Sequence, residues 1–208
     1  INSHAIIFLI SLLSPPNNIA INRSQSTLCN QVIADVKRNQ AVSYGCVRMW
    51  MMKPKVYIET TIPSYLTARP SRDLLMAAHQ QARHTWWNDK RNKFDLFISQ
   101  FVEDECRAGD PQMADRRIEL LKDIPMFGLF PDVYLLAAKL IAGGPLPEKA
   151  ETDALHIAVA AANRADYLLT WNMKHIANPA MQRAIGSICL ESGFDPPVIS
   201  TPELLLEA

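Results

Sequence analysis

A chain of 208 residues with 49% hydrophobic side chains is long enough for one domain with an appendage and a buried core. Its 21 basic and 21 acidic residues balance, but residues 53–208 carry 17 basic against 20 acidic side chains. This composition argues against the broad basic surface of a general nucleic-acid-binding protein. If the domain acts on nucleic acid, metal ions and a few local cations must neutralise the phosphates.

The four cysteines exclude the usual kind of zinc site, because no two of them stand two to four residues apart. They form no recognisable disulfide framework, which predicts a reducing, cytoplasmic location. Cys106 stands beside Glu105 and would be a nucleophile only with a positioned base. We favour the alternative, that it is a part-buried helix residue.

The first fifty residues differ from the remainder of the chain. The apolar run of residues 5–13 is far shorter than the roughly 20 residues that span a bilayer, so no membrane association is expected. Residues 19–50 show no clear period, and strand patterning begins only after Met51 and Met52. We therefore predict an N-terminal extension at 1–51, outside the functional fold, and a domain at 52–208.

The first elements of the domain alternate between strand and helix. Residues 56–58 read as a short buried strand that Pro63 stops. A helix is predicted from Ser71 to the pair Trp86–Trp87, which we expect to pack in the core or a dimer interface rather than stack on bases. Residues 94–99 read as a second strand, followed by a helix that carries Glu105.

The second half repeats this alternation. Helices are predicted at 112–122, at 133–141 and from Thr152 or Asp153 to about 163, and a short helix from Thr201. A buried strand is predicted at 166–170, and one or two last strands at 188–190 and 197–199. Strands that alternate with helices predict an α/β fold with a mainly parallel sheet.

Three acidic residues stand where these elements begin or end: Glu59, Glu105 and Asp153. A carboxylate beside an apolar segment must stay wet, be paired or hold a cation. Working sites lie at the carboxyl ends of parallel strands, where Glu59 and residues 170–175 are expected. Two interpretations remain open: a shared cleft for Mg²⁺ or Mn²⁺, or solvated edge, cap and surface residues.

Three phrases of the sequence together resemble the PIN-domain ribonucleases, in particular the VapC-like toxins of toxin–antitoxin pairs. They are VYIETTIPSYL at 56–66, the Ile98–Ser99 pair leading to Val102 and Glu105, and DALHIA at 153–158 followed by LLTWN at 168–172. The resemblance covers roughly residues 53–200. It implies a three-layer α/β/α sandwich with a mainly parallel sheet, acids that bind Mg²⁺ or Mn²⁺, and metal-dependent RNA cleavage.

Carried over residue by residue, the resemblance makes Glu59, Glu105 and Asp153 the metal-binding acids. It adds Asn172 to the catalytic set and gives Thr60, Thr170 and His175 supporting or phosphate-contacting roles. Two departures stand out: the first acid is usually aspartate in the family, and His175 replaces a further acid that many relatives carry. With His175 the cluster has fewer anionic ligands, which predicts weaker metal binding. Two interpretations of His175 stay open: a phosphate contact or a shift of preference towards Mn²⁺, and simple packing against the sheet edge.

The resemblance also implies partners: an RNA substrate, a small antitoxin protein and a second copy of the chain in a homodimer. Exposed cations such as Arg69, Arg72 and Lys174 are candidate phosphate contacts. Two alternatives stay open, a structure-specific DNA nuclease and a PIN-like protein-interaction module whose depleted site is inactive.

Overall fold

Four short parallel strands form the sheet. The structure, a computed structural model, describes residues 53–206 apart from the side chains of Leu75 and Met76, so the predicted extension lies outside the described residues. The strands are β1 (Lys55–Ile58), β2 (Asp95–Phe97), β3 (Tyr167–Leu169) and β4 (Val198–Ser200), in the order β2-β1-β3-β4. The central strands β1 and β3 consist largely of apolar residues because both faces of the sheet are covered there.

Seven α-helices connect and cover these strands within the described range. They are α1 (Thr61–Thr67), α2 (Leu74–Thr85), α3 (Gln100–Arg107), α4 (Pro111–Leu121), α5 (Pro131–Ala142), α6 (Glu151–Ala162) and α7 (Pro179–Glu191). An all-parallel sheet with helices in every connection confirms the predicted α/β fold and fits a three-layer α/β/α sandwich. Within residues 53–206, no helix is long and apolar enough to cross a membrane.

The order of the strands creates a crevice between β1 and β3. The chain leaves β1 towards β2 on one side and later returns to form β3 on the other side of β1. In open α/β sheets such a switch point is where ligands bind, outside the carboxyl ends of the strands. Ile58 pairs with Leu169, so Glu59 and Thr170 are the next residues on both sides of the crevice.

Helix α6 brings further side chains to this edge. Its residues from Ala154 to Ala161 are buried apart from the partly exposed Leu155, because the helix packs between α5 and the rest of the core. Asp153 lies in its first turn and His156 one turn later. The same core holds Trp86 and Trp87, which are 0% and 5% exposed. This confirms that the tryptophan pair packs in the interior.

Two predicted elements and the predicted role of Pro63 differ from the structure. Residues 188–190 are part of helix α7 and not a strand, because a short apolar run fits either element. The segment after β4 forms hydrogen-bonded turns rather than a helix. Pro63 does not stop β1, which already ends at Ile58; it occupies the first turn of α1, where the backbone N–H groups have no helical partners and proline is tolerated.

Candidate functional site

Glu59 directly follows β1, and its residue is only 4% exposed. One carboxylate oxygen, Oε2, accepts three hydrogen bonds: from the backbone N–H of Thr61 at 3.1 Å, from the Thr61 hydroxyl at 2.5 Å and from the Thr170 hydroxyl at 2.7 Å. These donors stand at the start of α1 and the end of β3. The two segments that border the crevice therefore both hold this side chain, as a buried carboxylate requires.

The two threonine hydroxyls also connect Glu59 to the loop after β3. The backbone N–H of Trp171 donates to Thr61 Oγ1 at 2.7 Å, and that of Asn172 donates to Thr170 Oγ1 at 2.9 Å. Each hydroxyl thus accepts a main-chain hydrogen bond and donates its own hydrogen bond to the carboxylate. Consecutive hydrogen bonds polarise one another, so the position of this loop orients Glu59.

Glu105 lies on α3 and approaches the same edge from another direction. Its Oε2 accepts a hydrogen bond of 2.5 Å from the Thr60 hydroxyl and lies 2.8 Å from Nε2 of His156. Partial burial raises the pKa of Glu105, but the hydrogen bonds from His156 and Thr60 outweigh it and bring the pKa below its ordinary value. The side chain is 41% exposed, so an ionised carboxylate faces solvent here.

A buried hydrogen-bond chain supports His156 from behind. Its Nδ1 lies 2.8 Å from the hydroxyl of Tyr57, which lies 2.7 Å from Oγ of Ser99. Burial raises the pKa of Tyr57, so its hydroxyl stays protonated. Because the carboxylate of Glu105 accepts from Nε2, Nδ1 of a neutral ring accepts from Tyr57, and Ser99 donates to the tyrosine oxygen.

Asp153 forms a second polar group with two residues of the loop after β3. Its Oδ1 accepts from the side-chain amide of Asn172 at 2.8 Å, and its Oδ2 lies 2.6 Å from Nδ1 of His175. The backbone N–H of His175 donates to Asn172 Oδ1 at 3.1 Å. The Asp153 and His175 side chains are 18% and 13% exposed. Asn172 therefore joins this group to the one around Glu59 through Thr170.

The structure brings two of the three predicted acids into one cluster. Ligand atoms of Glu59, Glu105 and His156 all lie within 4.8 Å of one another, a spacing that suits a metal ion. Asp153 is outside that cluster and has its own partners, one helical turn before His156. Its role as a metal ligand stays a prediction.

Sequence reasoning did not find His156, Tyr57 or Ser99 as site residues. A usable signal existed for His156, because it follows Asp153 by three residues and residues at that spacing share a helix face. Tyr57 is the one polar side chain in the apolar run 56–58. Its partners are Ser99, just before α3, and His156 on α6, and no local pattern connects them.

The remaining candidates lie at the surface or in the core. Arg69, Arg72 and Lys174 are exposed, as phosphate contacts and solvated charges both require. Cys106 is fully buried, and burial raises the pKa of its thiol to about 12. It is therefore a core residue and not a nucleophile.

No protein-family model matches the sequence, and no curated protein matches it at a significant level. The family resemblance therefore rests on the three sequence phrases alone, at 56–66, 98–105 and 153–172.

The buried chain behind His156 predicts a measurable loss of stability in Tyr57→Phe. The substitution removes one hydroxyl and leaves Nδ1 of His156 unpaired in the core, which should lower the free energy of unfolding by about 1–3 kcal/mol in urea titrations. The control is Tyr134→Phe at a half-exposed position, with an expected change within about 0.5 kcal/mol. Equal effects in both variants would contradict the assigned chain.

A second prediction concerns pH. Because the folded pKa of Glu105 lies below the unfolded value, the unfolded chain binds the proton more readily, and this carboxylate stabilises the fold above pH 4.5. That contribution is lost as the pH falls through the folded pKa. We expect the free energy of unfolding to fall less between about pH 6 and pH 3 in Glu105→Gln than in the wild type. Parallel curves for the two proteins would refute the assignment.

Proposed function

We propose that residues 52–208 form a PIN-like domain that hydrolyses RNA phosphodiester bonds with Mg²⁺ or Mn²⁺, as the toxin of a toxin–antitoxin pair. One observation carries the proposal: Glu59 and Glu105, from different parts of the chain, converge with His156 beside the switch point of a parallel sheet. Ligand sites of α/β proteins lie at this edge.

The donor set fits a hard divalent cation. Carboxylate oxygens are the ligands that Mg²⁺ and Mn²⁺ prefer. Within the described residues, the three hydrogen bonds to Glu59 fall on Oε2, which leaves Oε1 as the oxygen for an ion. His156 donates from Nε2 to Glu105, so it supports that carboxylate instead of ligating. Glu59 and Glu105 would therefore hold the ion, while Asp153 lies outside their cluster with partners of its own.

Held by Glu59 and Glu105, a divalent ion would supply a water of lowered pKa and would stabilise charge on the attacked phosphate. The lowered pKa of Glu105 suits holding a cation better than accepting a proton. Asp153, fixed by Asn172 and His175, is the carboxylate left to orient or deprotonate the water. His175 also offers a phosphate contact.

A second candidate is an interaction module without turnover. Both oxygens of Asp153 already have protein partners, and Oε2 of Glu105 has two. A site so fully paired favours a structural role for the acids. Divalent-metal titration with labelled RNA and labelled DNA separates this candidate, and a DNA nuclease, from the proposed ribonuclease.

We expect Glu105→Gln to reduce metal-dependent RNA cleavage at least about 100-fold, because the amide cannot replace a charged ligand. The matched control is Glu103→Gln on the same helix, where the lost partner is Arg107 at the surface. That variant should cleave like the wild type. Cleavage of end-labelled RNA is measured in Mg²⁺ or Mn²⁺, and a reaction with a chelator gives the metal-independent background.

Three results would count against the ribonuclease. Wild-type activity in Glu105→Gln would exclude this site, and metal-dependent cleavage of DNA alone would favour the DNA nuclease. No cleavage of either substrate in any metal would favour the interaction module.

We also propose that the domain forms a homodimer and binds a small antitoxin whose basic side chain pairs with the carboxylates. Support for a dimer comes from an exposed apolar patch on and before α5, formed by Phe130, Tyr134 and Leu135, which are 53%, 50% and 63% exposed. Exposed apolar side chains grouped on one segment are typical of interfaces. Support for a basic partner comes from the acidic cluster itself.

Leu135→Glu should convert a dimer into a monomer, because a charge in the centre of an apolar interface stays unpaired. Leu204→Glu, which replaces an equally exposed leucine outside the patch, should leave the dimer intact. Light scattering at micromolar concentration measures both masses. A monomeric wild type would disprove the dimer.

A further inference from the structure

Arg83 on α2 is a buried cation without conventional partners. The residue is 1% exposed, and its Nε and Nη1 have no hydrogen-bond partner among the described residues. Its guanidinium carbon lies 4.2 Å from the ring centroid of Tyr65 and 4.3 Å from that of Trp171. The guanidinium thus contacts two aromatic rings, and the carboxylate of Glu203 acts on it as a nearby charge.

Such an arrangement is costly unless the rings compensate for lost water. Burial lowers the pKa of Arg83, and the charge of Glu203 opposes this effect. Aromatic rings attract a cation over their faces, most strongly where water is excluded. A planar guanidinium suits two ring contacts, whereas the compact ammonium of lysine is more strongly hydrated.

The two rings belong to the segments that orient Glu59. Tyr65 lies on α1, which begins with Thr61, and Trp171 lies between Thr170 and Asn172. The backbone N–H of Trp171 donates to the Thr61 hydroxyl, which in turn donates to Glu59. A displacement of Trp171 would therefore reach the carboxylate through two hydrogen bonds.

A second residue of α2 contacts the same tryptophan. The ring of His79, one helical turn before Arg83, packs edge-on against Trp171 with the centroids 4.9 Å apart. Its Nδ1 also lies 3.4 Å from Oε1 of Glu203. Helix α2 thus holds Trp171 at two positions, although α2 contributes no residue to the site.

We propose that Arg83 is a positioning residue that clamps Trp171 to Tyr65. It thereby fixes the backbone N–H groups of Trp171 and Asn172, which donate to the two threonine hydroxyls that hold Glu59. The clamp is a property of the fold. Its consequence for metal binding and RNA cleavage rests on the proposed function.

The clamp is tested by amide hydrogen exchange, measured by NMR without metal or RNA. In Arg83→Met, exchange at Trp171 and Asn172 should accelerate on the order of tenfold relative to the core amide of Leu168. The matched control is Arg91→Met, which removes a guanidinium 4.8 Å from the ring centroid of Trp87. Exchange at 171 and 172 should not change there. Equal acceleration at the amides of Trp171, Asn172 and Leu168 in Arg83→Met would show that Arg83 only stabilises the fold as a whole and would contradict the clamp.

Substitutions of the opposite ring test the clamp even if Arg83→Met does not fold. Tyr65→Phe keeps an aromatic face and should retain the protection of Trp171 and Asn172, while Tyr65→Leu should lose it. Arg83→Lys should fall between the wild type and Arg83→Met. Equal protection in Tyr65→Phe and Tyr65→Leu would overturn the proposal.

Mn²⁺ titration by calorimetry connects the clamp to the site. If the wild type binds Mn²⁺, Arg83→Met should bind it several-fold more weakly and Arg91→Met should bind it equally well. Unchanged affinity in Arg83→Met would refute the effect on Glu59. A wild type that binds no Mn²⁺ but shows the predicted exchange pattern would confirm the clamp and contradict the metal site.

Discussion

The buried carboxylate of Glu59 is the constraint on which the rest of the sheet edge depends. Removing a charged group from water costs several kcal/mol unless hydrogen bonds replace the lost solvent. Here the replacement comes from α1 and from the end of β3, with the loop at 171–172 behind both hydroxyls. Hydrogen bonds to a charged acceptor are about twice as strong as neutral ones, so this carboxylate also fastens the elements that surround it.

Glu105 depends on a different part of the protein. Its partner His156 lies on α6, and the chain continues to Tyr57 in the central strand and Ser99 before α3. A buried polar chain is stable only when every member is satisfied, and this chain has a donor and an acceptor for each step. The two acids of the cluster therefore meet where two networks end, one at the sheet edge and one in the core, and Thr60 connects them because it stands next to Glu59 and donates to Glu105.

The sequence predicts the alternation of elements because apolar runs, turn residues and helix starts are local signals. It predicts that Glu59 and Thr170 meet, since the carboxyl ends of adjacent parallel strands share an edge. It fails where context decides: Pro63 suits the first turn of a helix, and residues 188–190 suit either element. Burial of Arg83 is beyond local patterns, because its aromatic partners come from α1 and the loop after β3.

The choice of donors around the acids bears on what the site holds. Among the described residues, Glu59, Glu105 and Asp153 are held by threonine hydroxyls, an asparagine amide, backbone N–H groups and histidines, and by no lysine or arginine. The donors to Glu59 are hydroxyl and backbone N–H groups, which are neutral and orient its carboxylate without cancelling its charge. A lysine or arginine salt bridge would compete with a cation for the same oxygens. The proposed binding of a divalent ion, or of a basic side chain from a partner, requires such carboxylates, which have no lysine or arginine partner among the described residues.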